Sequence, residues 1–173
     1  MKRKILSSIM ALVMIVSMLP FSVFAEEGDT WAESASTEWY TGDGDEYTIS
    51  SAADLAGLAQ LVNGGTSFQK KTIKLGENID LEGKEWTPIG RNGKPFQGTF
   101  DGQGNTISNL KITGNSSDVG LFGFTTGGEI KDFTLNNAQV EGYLDVGAVA
   151  GTPYTSKYTN INVTGLIQVD GYA

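Results

Sequence analysis

Along the second half of the chain, apolar positions alternate with polar ones in short bursts, each interrupted by Asn, Asp or Gly. Ile107, Asn109, Leu110 and Ile112 reappear downstream as Ile130, Asp132, Phe133 and Leu135, and once more as Tyr158, Asn160, Ile161 and Val163. One polar residue separates the last two apolar positions each time: Lys111, Thr134 or Asn162. Successive side chains of a strand point to opposite faces, so this spacing reads as a short half-buried strand in each copy.

Two further elements lie between those strands. Asp118-Val119-Gly120-Leu121-Phe122-Gly123 is answered by Asp145-Val146-Gly147-Ala148-Val149-Ala150-Gly151. Ala138-Gln139-Val140-Glu141-Gly142-Tyr143 is matched by Ile167-Gln168-Val169-Asp170-Gly171-Tyr172. Interleaved repeats spaced about 23 to 29 positions apart mark a solenoid, in which each unit is too small to bury its own apolar face and stacks on the next. The reading predicts three columns: Leu110, Phe133 and Ile161; Ile112, Leu135 and Val163; and a polar one of Asn109, Asp132 and Asn160.

Upstream, Ser51 to Asn63 predicts a helix. Ser51 caps it and Asp54 completes a capping box. Leu55, Leu58, Ala59 and Val62 form one apolar stripe, and Asn63-Gly64-Gly65 stops it. Such a helix is suited to cover the open first layer of a solenoid, so it is assigned as an N-terminal cap. In Lys71 to Leu81 the alternation of Ile73, Leu75, Ile79 and Leu81 predicts two strands. Glu82 to Lys94 carries Pro88, Gly90 and Asn92-Gly93, which predicts a loop anchored by Trp86 and Ile89. Phe96 to Phe100 re-enters the sheet, and Asp101-Gly102-Gln103-Gly104 turns a corner.

The Val-Gly-Leu-Phe-Gly and Val-Gly-Ala-Val-Ala-Gly segments, with the Phe-Asp-Gly-Gln-Gly-Asn-Thr-Ile entry and the following Asn-Leu-Lys-Ile, resemble the GLUG-type repeats of bacterial surface and secreted proteins. The resemblance covers roughly residues 46 to 173. It implies an all-β fold, a right-handed parallel β-helix, on an adhesin-like surface protein and in some cases beside a surface peptidase. The motif carries no catalytic residue.

The segment 1–25 changes the cellular picture. Met1-Lys2-Arg3-Lys4, an apolar run from Ile5 to Phe24 and the Val23-Phe24-Ala25 site have the parts of a signal peptide, with cleavage expected after Ala25. An uncleaved anchor is the alternative, and Pro20 with the Val-x-Ala site favours cleavage. Residues 26–45 form a polar leader, flexible to about residue 37, with Trp39 and Tyr40 packing on the edge of a domain over 46–173. Because the third repeat element ends at Ala173 with no atypical terminal unit, truncation of a longer solenoid is expected. The net charge of −8, more negative once Lys2, Arg3 and Lys4 are removed, disfavours nucleic acid and anionic lipid as partners. Zero cysteines exclude disulfide staples and a lipid-modified N-terminal cysteine.

The chain has no histidine, which removes the Ser-His-Asp triad, the Cys-His pair and the usual zinc sets. Carboxylates remain as candidates for glycoside chemistry: Asp101, Asp118, Asp132 and Asp145. Asp before a glycine corner also satisfies backbone donors, and that structural use is the simpler account. A lyase would need a basic proton acceptor, and Arg91 is the only arginine after the signal segment, in a turn-rich loop that favours a solvated role. Asp43 and Asp45 are candidate calcium ligands in an acidic turn that lacks the rest of an EF-hand loop. Gly102-Gln103-Gly104 has neither the helix nor the lysine of a phosphate loop. Asn115-Ser116-Ser117 and Asn162-Val163-Thr164 match the glycosylation pattern, which matters only in a host with that machinery. Trp86, Tyr143, Tyr154 and Tyr172 sit near turns. Trp86, Tyr143 and Tyr172 are the candidate ligand surface for a sugar, with Trp86 more simply read as a plug of its loop against the core.

The function expected from these residues is a secreted or cell-surface, non-catalytic module that binds a host glycan or surface protein and takes no cofactor. The alternatives are a carbohydrate-active β-helix enzyme, a polysaccharide lyase or glycoside hydrolase, and the noncatalytic front portion of a larger surface peptidase.

Overall fold

The computed structural model describes residues 30–170, so the expected signal peptide with its expected cleavage after Ala25, and Tyr172, lie outside the described residues. The fold is built mostly of strand, with one α-helix, α1 (Ala52–Gly64), among the described residues. The strands of its main ladder are β1 (Glu46–Ile49), β2 (Thr72–Leu75), β3 (Ile79–Asp80), β4 (Thr99–Asp101), β5 (Thr106–Ser108) and β6 (Lys111–Ile112). Two flanking pairs involve β7 (Ser117–Val119), β8 (Phe122–Thr126), β10 (Leu144–Val146) and β11 (Ala150–Tyr154). The longest strands are β9 (Glu129–Gly142) and β12 (Lys157–Val169).

Every pairing between these strands is parallel. In the main ladder β1 pairs with β2, β2 with β4, β4 with the start of β9, and β9 with β12. Farther along, β9 pairs with β5 and then with β6, while β3 pairs with β5. Beside it run β7 with β10 and β8 with β11. Parallel pairs such as Val119 on Val146 and Phe133 on Ile161 leave their apolar faces on one continuous core. Ile49, Ile73, Phe100, Ile107, Ile130 and Leu135 are fully buried in it.

The corners explain the composition. Asn109, Asp118, Asp132, Asn137, Asp145 and Asn160 all have φ between 52° and 58°, the left-handed region that Asn and Asp tolerate best after glycine. Their side chains also join layers. Asn109 donates to Asp80 Oδ1 at 2.8 Å and accepts from Asn137 Nδ2 at 2.7 Å, and Asn160 donates to Asp132 Oδ1 at 2.8 Å. In the Val-Gly-Leu-Phe-Gly segment glycine is required by crowding: a Cβ at Gly120 or Gly123 would lie 2.3 Å from the backbone oxygen of Gly147 or Gly90. Replacing Asn109 by alanine removes both amide bonds and strains the corner. The expected loss is about 2 kcal/mol in urea unfolding, with Asn109→Gly losing roughly half as much because it keeps the backbone angle.

Five expectations about register are corrected. Ile107 pairs with Leu135 rather than Ile130, and Ile112 with Val140 rather than Leu135. Leu110 therefore does not stack on Phe133, whereas Phe133 on Ile161 and Leu135 on Val163 hold. The polar column divides as well: Asp80, Asn109 and Asn137 form one, Asp132 and Asn160 another. Val140 pairs with Ile167 rather than Val169. The register shifts by one residue between Val163 and Gly165, where β9 holds one more residue than β12.

Helix α1 follows β1 and carries the predicted cap. Ser51 Oγ accepts from Asp54 N at 3.1 Å, and Asp54 reaches back to Ser50 N at 3.3 Å, one residue earlier than a standard box would have it. Gly65 N closes the other end on Leu61 O and Val62 O, and Lys94 Nζ adds bonds to the carbonyls of Asn63 and Gly64 at 2.9 and 3.3 Å. The stripe Leu55, Leu58, Ala59 and Val62 is buried.

The flexible leader is corrected from Thr30 onward. Residues Trp31–Ser34 form a 3₁₀ turn, and Trp31 is buried with its Nε1 donating to Leu81 O at 2.8 Å. Thr30 bridges Glu85, Glu85 bridges Lys111, and Lys111 pairs with Gln139, so this segment adds a further layer to an existing column. One tryptophan side chain in a polar stretch brings enough apolar area to dock it. Glu82 to Lys94 is likewise more than a loop, because Glu85 and Ile89 make parallel bridges to Lys111 and Phe122.

Candidate functional site

Ala32, Ala56, Ala59, Gln60, Asn63, Trp86 and Thr87 surround a cleft of about 220 Å³ beside Trp31. Three elements meet there: the 3₁₀ turn, one flank of α1 and the start of the Trp86 segment. Trp86 is buried, with its backbone N–H on Lys111 O at 2.9 Å and its Nε1 on Leu121 O at 3.1 Å. Since the indole N–H of Trp31 also points inward, both tryptophans offer the cleft carbon surface rather than a donor. Lys84 Nζ lies 4.6 Å from the Trp31 ring centroid, a cation over a π face.

Asn63 supplies the polar end. Its Nδ2 donates to Pro88 O at 3.0 Å, which fixes the amide orientation because a carbonyl only accepts. The opposite atom, Oδ1, is buried and has no hydrogen-bond partner. No ionisable side chain among the described residues lines the cleft.

The structure thus uses Trp86 both as a plug in the core and as a wall of the cleft. Tyr143 is half-buried after β9, its backbone N–H bonded to Ser116 O at 2.8 Å, and it does not line the cleft. The two are therefore not brought together there. Trp31 is hidden in what reads as a leader. The flank Ala56, Ala59, Gln60 and Asn63 falls at i, i+3, i+4 and i+7, a second stripe of small and amide side chains beside the apolar one. That spacing is the signal the sequence offers.

Of the four candidate carboxylates, Asp145 sits at a corner with φ of 54°, and the other three are engaged by hydrogen bonds or ion pairs. Asp101 bonds Lys131 Nζ at 2.9 Å and Gln103 N at 3.0 Å. Burial pushes its pKa up, but those two donors outweigh burial and hold it below 3.8. Asp132 is held below 3.8 by the Asn160 amide first and Lys131 second, and Asp80 by the Asn109 amide and then the Glu82 N–H. Asp118 accepts from the Thr152 hydroxyl. Asp101 lies directly across from Lys131, and Glu129 from Lys157, so neighbouring layers carry opposite charges at matched positions.

At the calcium candidates, Asp43 accepts from the Thr41 hydroxyl, and that bond, with its own backbone N–H, lowers its pKa. The carbonyls of Gly42 and Gly44 already receive the Lys71 ammonium, and Asp45 uses its carbonyl to hold Thr72 N at 2.8 Å. No cluster of three or more potential metal-ligating side chains occurs among the described residues.

Two features lie away from the cleft. Glu141 is hydrogen-bonded to Asp170, which raises the Glu141 pKa. On β12, Val163, Leu166, Ile167 and Val169 expose apolar surface, and no strand among the described residues pairs with the outer side of β12. No helix among the described residues is long and apolar enough to cross a membrane.

No family model matches the chain, and no solved structure matches it. It is similar to halomucin of Haloquadratum walsbyi, with 36% identity over 151 residues that take in 78% of this chain. The chain spans about 2% of the length of that relative.

Proposed function

We propose that this chain is a non-catalytic module of the cell surface, built as a right-handed parallel β-helix of the GLUG type and serving an adhesive or scaffolding role. The observation that carries the reading is the layer-on-layer parallel register, which presents repeated side chains along a continuous flank. The bonds at Asp101, Asp118 and Asp132 support a structural use of the carboxylates rather than hydrolysis. The likeness to halomucin fits a role outside the cell. A host glycan or a surface protein is the partner class.

The test is binding without turnover. Purified protein incubated with a glycan panel and with intact cells should be retained saturably, while new reducing ends and unsaturated sugar products stay at the level of the buffer control. Accumulation of either product would identify an enzyme instead. Absence of retention on every surface would remove the adhesive role.

A further inference from the structure

We propose that the Trp31–Trp86 cleft binds one neutral sugar ring of a glycan. The inference rests on the reading of the chain as a binding module and assigns that module a ligand class and a place. Four properties of the cleft select the ligand. Its volume of about 220 Å³ is several times the share of one water molecule in the liquid, roughly 30 Å³, and falls below the roughly 300–1,000 Å³ of sites for drug-sized molecules. A single ring fits that range.

Trp31 and Trp86 present carbon, against which the C–H face of a pyranose packs. An apolar ring would strip water from the exposed Gln60 amide and Thr87 hydroxyl at the mouth without replacing its bonds, whereas ring hydroxyls can bond both. Because no ionisable side chain among the described residues lines the cleft and the chain carries a net charge of −8, a neutral sugar is favoured over a uronic acid or a sialic acid.

The protein contains 3 tryptophans, which makes a direct readout available. Trp31 and Trp86 border the cleft, while Trp39 sits in the separate aromatic cluster with Tyr40, Tyr47 and Phe68 and serves as an internal reference. Titration of the nitrogen-15-labelled protein with a panel of neutral and acidic mono- and oligosaccharides should shift the Trp31 and Trp86 indole resonances saturably for a neutral member, with Trp39 unmoved. Ala32 is exposed, so Ala32→Phe blocks the mouth without touching the core. That variant should weaken binding at least tenfold with an unchanged melting temperature.

Unmoved Trp31 and Trp86 resonances throughout the panel, meaning the cleft holds water only, would overturn the proposal. Equal affinity in Ala32→Phe would also overturn it. If intact cells still retain both proteins in those cases, the binding module stands and only the cleft assignment falls. If nothing is retained, both fall.

Discussion

Replacing Phe122 by alanine is expected to lower the unfolding free energy by about 3–5 kcal/mol, out of the roughly 5–15 kcal/mol available to a domain of this kind. Phe122 is fully buried, and its ring lies 5.3 Å from both Phe96 and Phe100. Those two lead on to Phe68 at 6.2 Å and Phe133 at 5.7 Å, so one line of five rings connects successive layers. Truncation at the middle ring opens a cavity that the paired β8 and β11 backbones resist closing. Urea melts followed by circular dichroism should show the loss, with Phe122→Leu intermediate. A change under about 1 kcal/mol would mean that the layers do not share one core.

Gly57→Ala is expected to destabilise, against the usual sign. At an open position in a helix the change from glycine to alanine gains about 1 kcal/mol. Here the added Cβ would stand 1.7 Å from the backbone oxygen of Ser36, which crosses directly over α1. That crossing is held by Ser36 N on Ala53 O at 2.9 Å and by Trp39 Nε1 on Ser36 O at 3.0 Å. Lifting it breaks both, so the net loss should be about 2 kcal/mol, within the range for overpacking. Tryptophan fluorescence should shift to the red as Trp39 leaves its ring cluster. Gly64→Ala is the control, because nothing stands within 4 Å of its added Cβ, and it should be neutral or stabilising. A parallel gain in both variants would show that the crossing does not clamp the helix.

The registers that depart from the repeat pattern have a common physical cause. Ile107-Ser108-Asn109-Leu110 and Ile130-Lys131-Asp132-Phe133 share one grammar, an apolar residue, a spacer, an Asn or Asp, and a second apolar residue. Asn109 and Asp132 both adopt φ of 58°, yet Asn109 stacks on Asn137. Because the successive bends place the same demand on the backbone, they select the same residues. Matching Ile107 to Ile130 therefore joins two different bends. Only the hydrogen-bonded pairing of Ile107 with Leu135 tells them apart.

The cleft is partly readable. Trp86 stands out as an aromatic anchor, but Trp31 lies far upstream in a stretch with no periodicity of its own. Nothing local to Trp31 indicates that Leu81 O receives its indole N–H. The unmet acceptor at Asn63 is invisible as well, since Asn63-Gly64-Gly65 reads fully as a helix stop.

By itself the sequence determined what local chemistry can enforce: alternation that makes strands, Asn, Asp and Gly where the backbone must turn, and a capped helix with its apolar stripe over Leu55 to Val62. The tertiary structure decided what depends on partners far apart in the chain. It chose which bend lies on which, drew Trp31 and Ser36 onto the body, and brought the flank of α1 against Trp86. Parallel pairing fixes such contacts through backbone groups and shared buried area, and identical local patterns carry no information about either.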